Sequence, residues 1–182
     1  MTTFTYEKKD YILKLLYENT SLSEIRLYVS FFENLLLKRG LKAKTKKIVQ
    51  QVFIELNTII KHNLPHSIKL SPEAVFIQSA KNLKVLVKLK IDPKQKKRDP
   101  FPFFITTEKR QVILGYKILI ESVLKSDSSR NLPKKFAEEI WLSFLKESQS
   151  FEQRNELHCK IYDSRLELRR YWPRKTSRVI LD

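Results

Sequence analysis

The 182-residue chain carries 36 Lys and Arg against 20 Asp and Glu, a formal net charge of +16 at pH 7. Hydrophobic residues make up 42% of it, which excludes a disordered basic tail, and its single cysteine excludes an internal disulfide and a cysteine-rich metal site. Such a charge surplus is typical of proteins that bind a polyanion, with nucleic acid the first candidate and an anionic membrane surface the second.

The first 22 residues are expected to form an N-terminal extension, with a short apolar helix candidate at Tyr11 to Tyr17. They include the acids Glu7, Asp10 and Glu18 and no Arg, which fits neither a secretory signal nor an Arg-rich transit peptide. The chain contains no apolar stretch of the roughly 18 residues that a membrane span needs. We therefore expect a soluble or peripherally bound protein that stays in its compartment of synthesis or is addressed in another way.

Apolar residues at helical spacing predict three helices in the next part of the chain. The first is Leu22 to Arg39, and Gly40 follows where a left-handed C-cap would end it. The second extends from Lys42 to His62. The third extends from Pro72 to about Leu83, because Ser71 can cap a helix that opens with a proline.

A change of period to two predicts a β-hairpin over residues 85–106. Both arms alternate, and the predicted apolar face consists of Val85, Val87, Leu89, Ile91, Phe101, Phe103 and Ile105. Pro102 indicates an edge strand. The tip between the arms carries four cations that are expected to contact RNA: Lys94, Lys96, Lys97 and Arg98.

Helical spacing returns at Thr106 or Thr107 and predicts three more helices. The first of them ends at a loop over residues 126–131, and Pro133 opens the next. The last extends from about Phe151 to Trp172, where Pro173 stops it. Since no repeat or linker interrupts the chain, residues 23–172 are expected to be one mainly α domain, followed by a basic tail at 173–182.

Few features of the sequence are typical of an enzyme. The only two glycines, Gly40 and Gly115, are too far apart for a phosphate-cradling loop, and the three histidines lack zinc-site spacing. His158 and Cys159 could pair as base and nucleophile, but neighbouring helix positions point about 100° apart. A buried Cys beside a polar or RNA-facing His is the favoured interpretation, and we expect no catalysis, no metal and no cofactor.

Two clusters of cations indicate where a polyanion would bind. The first contains no acid and consists of Lys38, Arg39, Lys42, Lys44, Lys46 and Lys47. Cations at the start of a helix oppose its dipole, so a phosphate-binding corner is favoured over a solvated charged face. The second cluster follows the last helix into the tail: Arg154, Lys160, Arg165, Arg169, Arg170, Arg174 and Lys175. Guanidinium groups beside Tyr171 and Trp172 suit RNA, although core packing of these two rings is as well supported as base stacking.

Four segments resemble the small-subunit ribosomal protein seven family, in the order in which that family has them. FENLLLKRGLKAKTKKIVQQVF is similar to its first two helices with the basic turn between them, and SPEAVFIQSAKNLK to its third helix. FPFFITTEKR resembles its hairpin return strand, and RNELHCKIYDSRLELRRYW its closing helix. The matching positions are Asn34, Lys38, Gly40, Lys42, Pro102, Glu108, Arg110, Arg154, Glu156, His158, Arg165 and Trp172.

The resemblance implies a six-helix bundle with a protruding β-hairpin between the third and fourth helices. It also implies binding to the 3′ major domain of small-subunit rRNA, with Lys109 and Arg110 among the contacts, and organisation of head assembly beside other head and platform proteins. The hairpin would lie near exit-site tRNA and mRNA. Here PKQKKRDP replaces the family's Arg-Arg-Val-Gly-Gly at the tip, which predicts a different tip conformation, and Ser164 replaces an Asn.

Composition and sequence divergence favour an organellar ribosome. Gly is rare while Lys, Ile, Phe and Asn are abundant, as expected from an AT-rich gene. We also expect no presequence, because the first residues fit neither kind of targeting segment, and this adds to the organellar interpretation. We expect a mitochondrial protein, compatible with a gene in the organelle itself, with the plastid as the alternative. A helical DNA-binding nucleoid protein is the alternative function. A membrane adaptor is disfavoured because no helix combines a Lys-rich face with an exposed Trp/Leu face.

Overall fold

Six helices and one two-stranded hairpin make up the part of the chain that the computed structural model describes, residues 22–64, 70–90, 101–126 and 131–163. In chain order they are α1 (Leu22–Leu36), α2 (Lys42–Asn63), α3 (Pro72–Asn82), β1 (Val87–Lys90), β2 (Phe101–Phe104), α4 (Glu108–Lys125), α5 (Leu132–Phe144) and α6 (Gln149–Asp163). The predicted mainly α fold, with its hairpin between the third and fourth helices, is confirmed. The helix candidate at Tyr11 to Tyr17, the hairpin tip and the end of the last helix lie outside the described residues.

Aromatic rings from five helices meet at the centre of the bundle. Phe32 of α1 lies 5.6 Å from Phe76 of α3, 5.3 Å from Tyr116 of α4 and 5.6 Å from Phe136 of α5, measured between ring centroids. Phe53 of α2 adds a ring 5.3 Å from Phe76. Tilted and edge-on contacts of this kind stabilise a core beyond the area that they bury, so this cluster holds the helices in register.

Local signals explain why α2 and α3 form where they do. Along α2, Val49, Val52, Leu56 and Ile60 are buried on one face, as the helical spacing predicts. At the start of α3 the hydroxyl of Ser71 accepts a hydrogen bond from the Ala74 N–H over 3.2 Å, which confirms the predicted cap. None of the helices in the described ranges is long and apolar enough to cross a membrane.

Helix α1 ends at Leu36, three residues before the predicted end at Arg39. Gly40 does have a positive φ of 73°, but so does Arg39, at 53°. The Leu41 N–H donates to the Lys38 carbonyl over 3.2 Å and closes a turn around these two residues. Gly40 therefore serves a separate tight turn between α1 and α2, because two successive positive φ angles reverse the chain sharply.

The pairing of the two strands corrects the predicted apolar face of the hairpin. Val87 pairs with Phe104, Lys88 with Phe103, and Leu89 with Pro102. Paired residues project to the same side, so Pro102 and Phe104 share the buried side of the hairpin. The prediction for Phe103 was wrong, since this ring is 44% exposed beside Lys88. The run FPFFI is apolar at every position, and only the partner strand selects its inward face. Pro102 does lie on an edge strand, because the sheet has two strands.

Buried hydroxyls join α5 to α6. The side-chain oxygen of Ser143 lies 2.9 Å from that of Ser148 and 3.1 Å from that of Ser150, and all three residues are buried. Ser148 also accepts a hydrogen bond from the Phe151 N–H over 3.0 Å. This cap explains why α6 begins at Gln149, two residues before the predicted start at Phe151.

The hydroxyl of Tyr116 is the one buried side-chain polar group in the described residues that has no hydrogen-bond partner. Burial raises the pKa of Tyr116 well above its ordinary value. Because a buried hydroxyl without a partner costs free energy, we expect Tyr116→Phe to raise the free energy of unfolding by about 1 kcal/mol. Urea denaturation measures this as a higher midpoint at an unchanged slope.

Tyr28→Phe is the matched control, because the Tyr28 hydroxyl donates to Glu108 Oε1 over 3.4 Å. This substitution removes a hydrogen bond and should leave stability unchanged or lower it. A Tyr116→Phe protein that unfolds at a lower urea concentration than the wild type would contradict the expectation.

Candidate nucleic-acid interface

The six cations predicted to form a phosphate-binding corner gather around the turn between α1 and α2, and all are exposed. We call this set the basic corner: Lys38, Arg39, Lys42, Lys44, Lys46 and Lys47. The turn at Arg39 and Gly40 reverses the chain between the two helices. As a result, cations that follow the end of α1 and cations in the first two turns of α2 lie at one end of the bundle.

The positive end of α2 adds to the potential of the basic corner. Helix α2 begins at Lys42 without an acid in its first turn, and Leu41 at the N-cap supplies no side-chain hydrogen bond. Unsatisfied N–H groups and the helix dipole both favour an anion at such an end. The lysines therefore concentrate positive charge where the backbone is already positive, and a bound phosphate would relieve their mutual repulsion.

A further pair of cations, Lys109 and Arg110, lies in the first turn of α4, and both side chains are exposed. Lys109 Nζ lies 5.3 Å from the centroid of the Phe31 ring on α1. Phe31 precedes the end of α1 by five residues, which is about 8 Å along the helix axis. Lys109 therefore lies beside the last two turns of α1, the helix that leads into the basic corner.

The neighbouring Glu108 is committed to contacts within the protein. Its carboxylate forms an ion pair with Lys84 and accepts from the Tyr28 hydroxyl over 3.4 Å. The hydrogen bond and charge of Lys84 hold the pKa of Glu108 below its ordinary value. Burial, with the Glu108 charge as a second cause, raises the pKa of Tyr28 to about 12. This acid therefore faces Lys84 and Tyr28 and anchors the start of α4.

Arg154, predicted as an RNA contact, is partly buried and bonded within the protein. Its Nη1 donates to the Asn82 carbonyl and its Nη2 to Asn155 Oδ1, each over 2.6 Å. Its guanidinium carbon lies 4.6 Å from the centroid of the Phe151 ring, and burial lowers the pKa of Arg154. Arg154 therefore ties α6 to the end of α3, and a contact to RNA remains a prediction.

Asn82 is a central residue that the sequence analysis missed. Its side-chain amide donates to the backbone carbonyls of Ser143 and Phe144, each over 3.1 Å. Its backbone carbonyl accepts a hydrogen bond from Arg154. It joins the ends of α3 and α5 to α6, and it satisfies carbonyls that the last turn of α5 leaves without an intrahelical partner. The one sequence feature that could have indicated this role of Asn82 is its position as a polar residue at the end of an apolar helix.

His158 lies against the base of the hairpin. Its Nε2 accepts a hydrogen bond from the Leu86 N–H over 3.4 Å, so the ring is assigned as neutral at this nitrogen. Burial, followed by the positive charge of Arg154, lowers the pKa of His158 below its ordinary value. Cys159 is exposed, so the favoured interpretation of a buried cysteine was wrong. The two side chains occupy different environments because they point to different sides of α6.

The lowered pKa of His158 predicts a pH dependence of stability. In the unfolded chain His158 binds a proton as the pH falls through its ordinary pKa of about 6.5. In the folded protein it binds this proton only at a lower pH, because its pKa is lowered. The free energy that neutral His158 contributes to folding is therefore fully present above its unfolded-state pKa. This contribution is lost as the pH falls through the lowered pKa of the folded state. We expect His158→Gln to show a flatter decline of the unfolding free energy between about pH 7 and 5. Urea titrations at several pH values test this, with the exposed His62→Gln as control; equal slopes for both variants would refute it.

The remaining predicted contacts divide into one exposed residue and a group outside the described residues. Lys160, on α6, is exposed. The second group consists of Lys94, Lys96, Lys97, Arg98, Arg165, Arg169, Arg170, Arg174 and Lys175. Helix α6 packs against α4, α5 and β1, whereas the basic corner joins α1 to α2.

Within the described ranges, no group of three or more His, Cys, Asp or Glu residues could hold a metal ion.

Comparison with known protein families identifies the family of this chain. The family model described as ribosomal protein S7p/S5e matches residues 2–161, most of the chain. A comparison with individually curated proteins returned no match. The chain therefore belongs to the ribosomal protein S7p/S5e family, and it is a ribosomal protein of the small subunit that binds rRNA.

Proposed function

We propose that this protein organises the head of the small ribosomal subunit by binding the 3′ major domain of the rRNA through the basic corner. The observation that carries the proposal is the set of six exposed cations around the uncapped start of α2. Each phosphate that such cations neutralise releases condensed counterions, which drives binding. Since side chains cannot read the deep major groove of A-form RNA, recognition would depend on RNA shape, phosphates and unpaired bases.

The basic surface is proposed to extend from the corner to Lys109, Arg110 and Lys160. Cations of the last helix and of the tail at 173–182 would continue this surface. The unit that binds rRNA would be residues 23–172, with the hairpin over 85–106 directed toward exit-site tRNA and mRNA and with head and platform proteins as neighbours. The four cations of the hairpin tip support an RNA contact there.

We further propose that the ribosome is mitochondrial. The support is compositional: the chain has only two glycines, 36 Lys and Arg and 11 Phe, as expected from an AT-rich organellar gene. A plastid ribosome is the alternative, since plastid genes share this bias.

Sedimentation of the tagged protein from native lysate, with sequencing of the RNA that co-purifies at moderate salt, tests the proposal. We expect co-migration with the small ribosomal subunit and enrichment of mitochondrial small-subunit rRNA. Plastid rRNA would correct the compartment alone. A light fraction without RNA, or one enriched in DNA, would refute a role in the subunit and would favour a nucleoid protein.

A further inference from the structure

A cleft of about 320 Å³ lies between the middle of α2 and the start of α5. Gln51, Ile54 and Glu55 line it from α2, and residues 131–134 line it from the start of α5. The volume falls at the lower end of the range for small-molecule sites, which is about 300–1,000 Å³. It is large enough for one planar ring system such as a nucleobase.

The chemistry of the walls matches the faces and edges of a base. Ile54 is 64% exposed and Leu132 37% exposed, so both present apolar surface that a planar ring would cover. Gln51 and Asn131 contribute amides, and Asn131 does not use its side chain to cap α5. Glu55 contributes a carboxylate that can accept a hydrogen bond from an amino group. Apolar contact on the ring faces and hydrogen bonds along the edge are how proteins hold unpaired RNA bases.

The cleft is continuous with the basic corner along α2. Lys44, Lys47, Gln51 and Ile54 follow one another at intervals of three or four residues, which places them on the same side of the helix. Ile54 lies about 10 Å along the axis from Lys47. On the opposite wall Lys134 lies in the first turn of α5, which contains no acid. Each of the two helices therefore carries a cation at or near the cleft, Lys47 one turn before Gln51 on α2 and Lys134 on α5, and these cations could contact the phosphates that flank a bound base.

We propose that this cleft binds one unpaired base of the rRNA strand whose phosphates contact the basic corner. The inference rests on the proposed function and adds base recognition to backbone binding. Glu55 sets a preference: its carboxylate accepts from the exocyclic amine of adenine, cytosine or guanine, whereas uracil offers no amine. The same carboxylate repels phosphate, so the cleft takes the base and leaves the backbone to the lysines.

Binding of the full-length protein to deproteinised small-subunit rRNA, measured over a range of salt concentrations, tests the proposal. Ile54→Ala should weaken binding about fivefold at every salt concentration, because it removes apolar contact and no charge. The dependence of log K on log salt should keep its slope. Leu124→Ala is the matched control, because Leu124 is 54% exposed on α4 outside the cleft, and its affinity should stay within about twofold of wild type.

Three other results would overturn the inference, and they are distinguishable. If Ile54→Ala bound rRNA with wild-type affinity and salt dependence, the inference of a base site in the cleft would be refuted, and the proposed function would be unaffected. An Ile54→Ala protein that binds naked rRNA normally but fails to co-sediment with assembled subunits would assign the cleft to a neighbouring protein. Wild-type protein that binds the rRNA no better than an unrelated RNA would refute the proposed function, and the cleft inference with it.

Discussion

Replacing Gly115 by alanine is expected to lower the free energy of unfolding by about 2 kcal/mol or more. A Cβ at this position would lie 2.4 Å from the carbonyl oxygen of Leu83 and 2.9 Å from its carbonyl carbon. These are backbone atoms at the end of α3, and they cannot rotate out of the way. Helices α3 and α4 would have to separate, which would open the aromatic core around Tyr116. The better helix propensity of alanine, about 1 kcal/mol, offsets only part of this cost.

Gly40→Ala is the matched control, since Gly40 has nothing within 4 Å of an added Cβ but a φ of +73°. Its cost comes from left-handed backbone alone, about 1 kcal/mol. Urea denaturation of both variants separates a steric clash from backbone strain. If Gly115→Ala were as stable as the wild type, helix propensity would have outweighed the clash, and α3 and α4 would pack less closely than the structure has them.

Replacing Lys42, Lys44 and Lys47 together by alanine is expected to weaken rRNA binding and to reduce its salt dependence. If the wild-type protein neutralises roughly eight phosphates, log K should fall with log salt at a slope of about −6 to −7, depending on the form of the RNA. Loss of three phosphate contacts should reduce that slope by about 2. All three side chains are exposed, and alanine favours a helix, so the variant should remain folded.

The control removes the same net charge elsewhere on the molecule. Lys61, Lys117 and Lys125 are exposed on α2 and α4, outside the basic corner. Their triple alanine variant should lose affinity only through the general field of the protein and should keep the slope close to that of the wild type. Equal effects of the two triple variants, or a wild-type slope near zero, would reduce the basic corner to a solvated charged face.

Local signals in the sequence predicted the corresponding elements correctly. The period of α2, the Ser71 cap of α3 and the change of period at the hairpin depend on residues within a turn or two of each other, and all three are confirmed. The basic corner was visible for the same reason, as a short run of cations. Which of these cations contact rRNA remains a prediction.

The features that the sequence did not predict depend on a partner residue far away in the sequence. Phe103 was assigned to the wrong face because the register with Lys88 selects the inward side of β2. The role of Asn82 depends on carbonyls about 60 residues away, at Ser143 and Phe144. The hydrogen bond from Arg154 to the end of α3 was not predicted either, because its acceptor, the backbone carbonyl of Asn82, lies 72 residues away in the sequence. Its contact to RNA remains a prediction.

The sequence by itself determined the helical architecture, the position of the hairpin and the polyanion-binding character, because periodicity, capping residues and net charge are properties of neighbours along the chain. Only the tertiary structure shows that Gly115 lets α4 approach the end of α3 closely and that hydrogen bonds of Asn82 and Arg154 fix this end. It alone also shows that a cleft opens between α2 and α5. The physical reason is that close approach and burial depend on which elements meet in space. A run of lysines repels itself in any fold, whereas a glycine becomes indispensable only when a particular carbonyl lies where its Cβ would be.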